Sequence, residues 1–469
     1  MVVTTHPDHQ PGDQPLRDRN VGLRPKQRGD RIGRQIRQAG AVDFFNLLTG
    51  PELLEMTEEH LPEHRERLYP PTVALSMFIK QSLALDRSCQ RAVDAWAGQR
   101  AAEGLSTQSI RTGGYCRARA RLPLEMIVAL TRETGRLLST RAPRSWGWRG
   151  RCVKLADGTG ISMPDTQQNQ ARYPQPPSQV PGVGFPLAGL VGIVCLSTGA
   201  VLEAAIGAHA RKGHSEQDLF RGLHATLRAG DVLLADALYC SYFQIATLQA
   251  SGVDVLLEQH GARTTDFRRG QPLGKRDQLV RWSKPHTRPQ WLSLEQYRAF
   301  PDEILVREAQ VNGQVLVTTM QNARAVPKGE LAALYARRWH IELDIRNIKT
   351  TLGMEVLRCM TPAMVEKELW VCLLAYNLIR LLMAQAARTA GVCPRELSFK
   401  HTVQIWSSWP HSAEPSELFR LIAQRPVGNR PGRSEPRVRK RRPKSFPWLK
   451  VPRAVARRRL RKHRHPLCA

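Results

Sequence analysis

Along the 469-residue chain the spacing of apolar positions changes character, and the changes mark out segments. From about Val42 to Leu138 apolar residues recur three and four apart, most clearly over Thr72–Leu85 and Leu124–Leu138, with breaks at Pro70-Pro71, Gly104, Gly113-Gly114 and Pro123. That period puts one face of each segment on a core and predicts a helical region. After Arg141-Ala-Pro-Arg-Ser145 the pattern turns to short apolar runs. Cys152–Ala156, Leu187–Leu196, Val201–Ile206, Val232–Ala235 and Val253–Leu257 read as strands. Ser215–Leu227 and Ser241–Ala250 read as helices, with Ser215 placed to cap the first. Three strands followed by helix, strand, helix and strand predict an α/β layered fold. Gln259 to about Pro327 is polar, with strand-like runs at Ile304–Val311 and Val315–Thr319, and reads as a β-rich insertion. The most apolar run, Leu369–Ala387, contains Asn377, Arg380 and Gln385. Such residues predict a buried helix and no membrane span.

Charge adds a partner to this picture. Lys and Arg number 70 and Asp and Glu 41, a net +29. From Arg425 to Ala469 there are 17 basic residues and one acid, Glu435, so this tail holds +16 and the remainder +13. Both parts are suited to a polyanion. The tail is interleaved with proline and lacks helical apolar spacing, so it is expected to be mostly disordered, either a solvated tail or a non-specific DNA-binding arm. Arg111, Arg117, Arg119 and Arg121 around Tyr115 offer a second basic stretch, facing either phosphate or solvent. Nine cysteines without a CxxC pair fit neither a disulfide framework nor a zinc ribbon and suit a reducing cytoplasm; the N-terminus carries no apolar signal region.

Two carboxylates, Asp157 and Asp236, follow buried strands, where sites in such sheets lie. A third comes from Leu331–Leu352. At about 100° per residue, Tyr335, Arg338, Glu342 and Lys349 form one narrow polar stripe beside the apolar face. Asp344 points the opposite way, and its replacement by Ala is expected to be near neutral for cleavage. On spacing alone a surface ion-pair ladder explains the stripe as well, since Arg338 and Glu342 are four apart. Three acids on separate elements also suit Mg²⁺, and two ions about 3.5–4 Å apart can act on a phosphodiester.

The run Tyr335, Arg338, Glu342, Lys349 matches the Y-(2)-R-(3)-E-(6)-K signature and so resembles insertion-sequence transposases of the IS4 family. Further text agrees: Asp157-Gly-Thr with Met163-Pro-Asp-Thr166, Asn169 and Tyr173-Pro-Gln-Pro; Gly230-Asp-Val-Leu-Leu-Ala-Asp236 with Cys240-Ser-Tyr242; Lys349-Thr-Thr-Leu-Gly-Met-Glu; and Tyr376-Asn-Leu-Ile-Arg380. The resemblance covers roughly residues 60–390. It implies a ribonuclease H-like mixed sheet with a β-rich insertion, preceded by an all-helical domain. It further implies that Asp157, Asp236 and Glu342 are the catalytic, metal-binding triad for two Mg²⁺ ions, with Mn²⁺ as a substitute, and that Tyr335, Arg338 and Lys349 contact DNA. The implied activity is cut-and-paste transposition: one strand is nicked, the freed 3′-hydroxyl attacks the other to form a hairpin, and strand transfer follows. The implied partners are double-stranded DNA, as terminal inverted repeats and target, and a second copy in a homodimer. Two positions depart from the family text. Ala237 stands where Arg is frequent and Glu258 where a basic residue is frequent, which leaves open a DNA-binding copy without chemistry. A nuclease acting on branched DNA fits the full Tyr, Arg, Glu, Lys register poorly.

The expected organisation is a disordered N-terminus (1–30), a helical DNA-end-binding domain (31–145), a catalytic domain (150–390, insertion about 259–327), a helical segment (391–424) and the basic tail (425–469). The expected location is the cytoplasm, on the nucleoid when bound to DNA.

Overall fold

The computed structural model describes residues 51–61, 69–102, 104–105, 109–209, 213–409, 415–427 and 449–462. The N-terminal segment 1–30 and most of the basic tail lie outside these. The described residues form two compact units, divided within a helix after Met126; Ser82–Leu85 belong to the second.

The first unit is helical. It contains α1 (Pro51–His60), α2 (Pro71–Leu83), α3 (Cys89–Ala102), α4 (Gly113–Arg121) and the start of α5 (Leu124–Thr140). Tyr115, read as part of a basic face, is instead fully buried, and its hydroxyl donates to Gln81 Oε1 at 2.7 Å. Arg119 donates to the same oxygen at 3.2 Å and lies over the Phe78 ring at 4.5 Å. These two side chains hold α4 to α2, while Arg111, Arg117 and Arg121 are exposed.

The second unit is built on one nine-stranded sheet in the order β3-β2-β1-β4-β5-β9-β8-β7-β6. The strands are β1 (Val153–Ser162), β2 (Leu187–Cys195), β3 (Val201–Ala208), β4 (Val232–Ala235), β5 (Asp254–Glu258), β6 (Gln271–Gly274), β7 (Asp277–Ser283), β8 (Glu303–Val311) and β9 (Gln314–Thr318). β2 runs antiparallel to β1 and β3, whereas β4 is parallel to β1 and β5 is parallel to β4. This is the ribonuclease H-like arrangement. The insertion is no separate layer: its β9 pairs antiparallel with β5, and β8, β7 and β6 extend the same sheet. β1 is longer than its apolar run suggests, because pairing with β2 continues through Gly158–Ser162.

One face of the sheet is covered by α7 (Glu216–Arg221) and α8 (Tyr242–Ala250), whose Phe220, Phe243 and Ile245 join Val191, Leu233, Leu257 and Val306 in a buried cluster. Burying each such side chain contributes roughly 1.5–3 kcal/mol. α6 is Gln167–Arg172 and α9 is Leu294–Ala299. Lys154 is the second residue of β1, within its apolar run, and is itself buried. Its ammonium pairs with Asp231 at 2.6 Å, just before β4, and donates to the Thr226 carbonyl at 2.6 Å. A charge in that position is tolerated because both partners are supplied.

The polar stripe does not lie on one continuous helix. α10 (Lys328–Ala336) ends in a turn at Arg337–Arg338, α11 (Trp339–Arg346) begins anew, and Asn347–Thr351 is a π-helical turn. A uniform 100° register therefore does not hold across the segment. The long α12 (Pro362–Ala390) has a window apolar enough to cross a membrane, but 83% of that window is buried in the fold, as the internal Asn377 and Arg380 predict. Asn377 donates to the Val201 carbonyl and accepts from the Val201 amide, each at 2.8 Å. It also donates to the Thr131 carbonyl at 3.0 Å. Close by, a Cβ at Gly135 would lie 2.3 Å from the Val201 carbonyl oxygen, so α5 approaches β3 only through glycine. α13 (Phe399–Ser407) and α14 (Pro415–Ala423) follow. Within the basic tail, α15 (Arg453–Lys462) is helical, and Arg453 pairs with Asp165 at 2.9 Å and lies over the Phe185 ring at 5.0 Å.

α11 is anchored by Asp344, whose side chain is wholly buried. The carboxylate pairs with Arg380 of α12 and, at 2.6 and 2.8 Å, with Arg395, and it accepts from the Tyr376 hydroxyl at 2.9 Å. Arg395 also donates to the Leu196 and Cys195 carbonyls at 2.7 and 3.1 Å, at the end of β2. Asp344 does point away from Glu342, but the expectation that its loss is neutral is overturned. Truncation leaves two buried guanidinium groups uncompensated. Asp344→Ala is expected to destabilise the protein by about 3–5 kcal/mol, read as a lower unfolding midpoint in urea, with cleavage falling as the helix loosens. An unfolding midpoint equal to that of the wild type would refute the anchor.

Candidate active site

Asp157 and Asp236 are brought together by strand register. Leu155 of β1 pairs with Leu234 of the parallel β4. Asp157 and Asp236 each follow this last paired position by two residues, Asp236 just beyond the end of β4, and the two are near enough for the Asp236 charge to act on Asp157. Adjacent strands run about 4.8 Å apart. Asp236 leaves β4 as the cap of a 3₁₀ turn, Ala237–Tyr239, and its Oδ1 accepts from the Leu238 amide at 2.8 Å. Asp157 does not end its strand, as the apolar pattern suggested. It sits inside β1 opposite Gly192, and its Oδ1 accepts from the Gly158 amide at 2.9 Å.

Burial pushes the Asp157 carboxyl up to about 7; the nearby Glu216 and Asp236 carboxylates add to the shift, while the Gly158 amide and Arg338 oppose it. Glu216 is likewise raised, first by burial and then by Asp236, against a hydrogen bond from Tyr239 that lowers it. Acidic groups are thus concentrated at the middle of β1 and just past the end of β4. Arg338 is the cation that reaches Asp157 from the helical side.

Glu342 is held differently from the two aspartates. Its Oε1 accepts from Arg338 Nη2 at 3.0 Å, the i,i+4 pair that spacing alone allowed. The Arg338 charge also acts on Asp157 from a distance and favours its ionised form. Tyr335 is buried; its hydroxyl lies 3.4 Å from Glu258 Oε2, and burial pushes its pKa up. The Glu258 departure therefore places an acceptor against Tyr335. Lys349, in the π-helical turn, donates to Thr159 Oγ1 and the Gly160 carbonyl, each at 3.1 Å, and ties that turn to β1 two residues beyond Asp157. Arg338 thus pairs with Glu342 and favours the ionised form of Asp157 by its charge, Tyr335 meets Glu258, Lys349 is bound to β1, and Asp344 lies apart in its own buried pairs.

Sequence reasoning missed Glu216. It occupies the first position of α7, where an acid is favoured by the helix dipole alone, so nothing in the local sequence distinguishes it. It equally missed the partners of Asp344, which are separated from it by 36 and 51 residues. Among the described residues no three His, Cys, Asp or Glu side chains stand close enough together to hold a metal ion as they are. Among the described residues no disulfide bond is formed.

A family model for the transposase DDE domain matches residues 148–378, a span containing both aspartates, Glu342 and the whole sheet. The chain is 30% identical over 351 residues to the transposase InsG for insertion sequence element IS4 of Escherichia coli strain K12, covering 70% of this chain and 76% of that one. Among solved structures, the cryo-EM structure of the piggyBac transposase synaptic complex with hairpin DNA has a TM-score of 0.42 at 10% identity, covering 85% of this chain and 88% of that chain. With the Tyr335, Arg338, Glu342 and Lys349 signature set around an aspartate pair on adjacent parallel strands, the chain belongs to the DDE transposases of the IS4 family.

Proposed function

We propose that this DNA transposase moves its insertion sequence by cut-and-paste, with phosphodiester cleavage and strand transfer at terminal inverted repeats carried out by a homodimer. In this reading Asp157, Asp236 and Glu342 are the catalytic, metal-binding residues. The observation that supports it is the parallel pairing of β1 with β4 next to Asp157 and Asp236, with Arg338, the ion-pair partner of Glu342, near enough to act on Asp157 by its charge.

The donor set fits Mg²⁺ or Mn²⁺, since carboxylate oxygens are the ligands hard divalent cations take. Burial chiefly, and then the Glu216 and Asp236 charges, disfavour the ionised form of Asp157 despite Arg338, so a bound cation would stabilise that carboxylate. Bound there, two divalent ions supply Lewis-acid stabilisation of the phosphodiester oxygens. The protein's own residues do the rest. β1 and β4 hold the two aspartates at fixed spacing. Arg338 holds Glu342 on the same side, and a DNA phosphate competes with Glu342 for its guanidinium, so that substrate binding releases the carboxylate toward the aspartates. Lys349 spends two of its three donors on β1 and presents its charge beside the path of the scissile strand. Tyr335 lines the same path. The basic body and tail hold DNA of any sequence through phosphate contacts. DNA work of this kind takes place in the bacterial cytoplasm.

Three tests follow from this geometry. Asp157→Ala, Asp236→Ala and Glu342→Ala are each expected to abolish Mg²⁺- or Mn²⁺-dependent cutting of a labelled end duplex while leaving gel-shift affinity for that duplex within about twofold, because each removes a metal ligand and no phosphate contact. A variant that cuts at the wild-type rate leaves the triad, and a wild-type chain that binds the duplex and never cuts it favours the DNA-binding reading.

Arg338→Ala and Lys349→Ala are expected to lower hairpin and excised products more than the first nick, with Arg338→Lys recovering only part, since a planar fork is replaced by a point charge. Time courses resolving nicked, hairpin and excised DNA measure this, and unchanged product ratios in both alanine variants would defeat the phosphate assignment.

The third test concerns pH. Because the folded state raises Asp157 above its ordinary value of 3.8, it binds that proton more tightly than the unfolded chain does. The stability this group contributes is present below pH 3.8 and is lost as pH rises through about 7. Asp157→Asn removes the loss. In EDTA its unfolding temperature is expected to exceed that of the wild type by more at pH 8 than at pH 5, and an equal difference at both would contradict the assignment.

A further inference from the structure

The first turn of α7 grips both strands that carry the aspartates. The Tyr239 hydroxyl, on the turn that begins at Asp236, donates to Glu216 Oε1 at 2.7 Å. Gln217 Nε2 donates to the Leu238 carbonyl of the same turn at 2.6 Å. On the other side the Glu216 carboxylate lies directly over Gly158, the residue after Asp157. A Cβ there would sit 2.3 Å from Glu216 Cδ and 2.5 and 2.7 Å from its two oxygens. The Gly158 amide, which donates to Asp157, also faces Glu216. α7 itself is firmly seated: Ser215 and Asp218 form a reciprocal capping box, and Phe220 packs at 4.8 Å, edge to face, against the Tyr239 ring.

A half-buried carboxylate beside another carboxylate is costly, and Glu216 is raised first by burial and then by Asp236. Its position has to be repaid by something other than stability, and its contacts indicate what that is. One oxygen takes the turn after Asp236; the carboxylate as a whole rests on the glycine after Asp157. We infer that Glu216 is a positioning residue that sets the separation and orientation of Asp157 and Asp236, acting through Gly158 and Tyr239. The inference rests on the reading of those two aspartates as a metal-binding pair.

The test uses the full chain without DNA and with manganese chloride as the probe, following free Mn²⁺ by electron paramagnetic resonance during titration. Wild type is compared with Asp157→Ala, Glu216→Gln, Gly158→Ala and Tyr239→Phe, and unfolding midpoints in EDTA confirm folding. Tyr239→Phe keeps the ring packing and every carboxylate and removes only the hydroxyl that donates to Glu216, so it carries the test should another variant fail to fold. Glu216→Gln is expected to weaken Mn²⁺ binding roughly tenfold, the scale of a lost hydrogen bond to a charged group. Tyr239→Phe and Gly158→Ala are expected to weaken it in the same direction, all three with unfolding midpoints near or above that of the wild type.

Wild-type Mn²⁺ affinity in Tyr239→Phe and Glu216→Gln, with a loss in Asp157→Ala, overturns the brace and leaves the metal reading standing. A loss in Glu216→Gln with none in Tyr239→Phe makes Glu216 a direct ligand and also overturns it. Unchanged affinity in Asp157→Ala removes the metal pair itself, and the brace with it.

Discussion

The parallel pairing of β1 with β4 is the constraint on which the site depends. Only three residue pairs make it, Val153 with Val232 through Leu155 with Leu234. A slip of one residue would turn Asp157 or Asp236 to the other face of the sheet, because successive side chains alternate. The register is fixed from below by the buried Lys154–Asp231 pair, which joins β1 to the residue before β4, and by the apolar side chains of β4, all of them buried. An ion pair removed from water stabilises little on its own. Its value here is specificity, since no other register lets Lys154 meet Asp231.

The third acid reaches the site by a different route. Glu342 belongs to a short helix between a turn and a π-helical segment, and neither neighbour is a rigid support. What fixes that helix is Asp344 on its far side, bound by Arg380, Arg395 and Tyr376. Arg395 continues to the carbonyls at the end of β2, so the helix is referenced to the sheet itself. Two residues apart on one helix, one carboxylate is buried and fully paired while the other stays half-exposed in a single ion pair. The first supplies position and the second retains freedom to change partner.

The site stores electrostatic cost. Asp157 and Glu216 are both held above their ordinary values, and Arg338 compensates only in part. Concentrating unneutralised carboxylates is the arrangement expected where a cation and a polyanion are both to be received. The overall charge of +29 is opposite in sign to this local acidity and suits a polyanion at long range.

Much of this was legible in the sequence, for definable reasons. The strand runs around Asp157 and Asp236, the insertion, the buried helix through Asn377 and the spacing of Tyr335, Arg338, Glu342 and Lys349 are local patterns, and periodicity together with a recognisable signature suffices to read them. Tertiary structure alone decided the rest. β1 extends past Asp157 because β2 pairs with it; the stripe is broken at Arg337–Arg338 because the chain turns there; Tyr115 and Arg119 face Gln81 and Phe78 and form no open basic surface. Glu216 and the partners of Asp344 were invisible because an acid at a helix start, or an arginine dozens of residues away, has no local pattern to betray its partner. Sequence determines which residues are able to take part, since side-chain chemistry and period are local properties; which of them meet is decided by strand register and helix packing, which bring distant residues within hydrogen-bond reach.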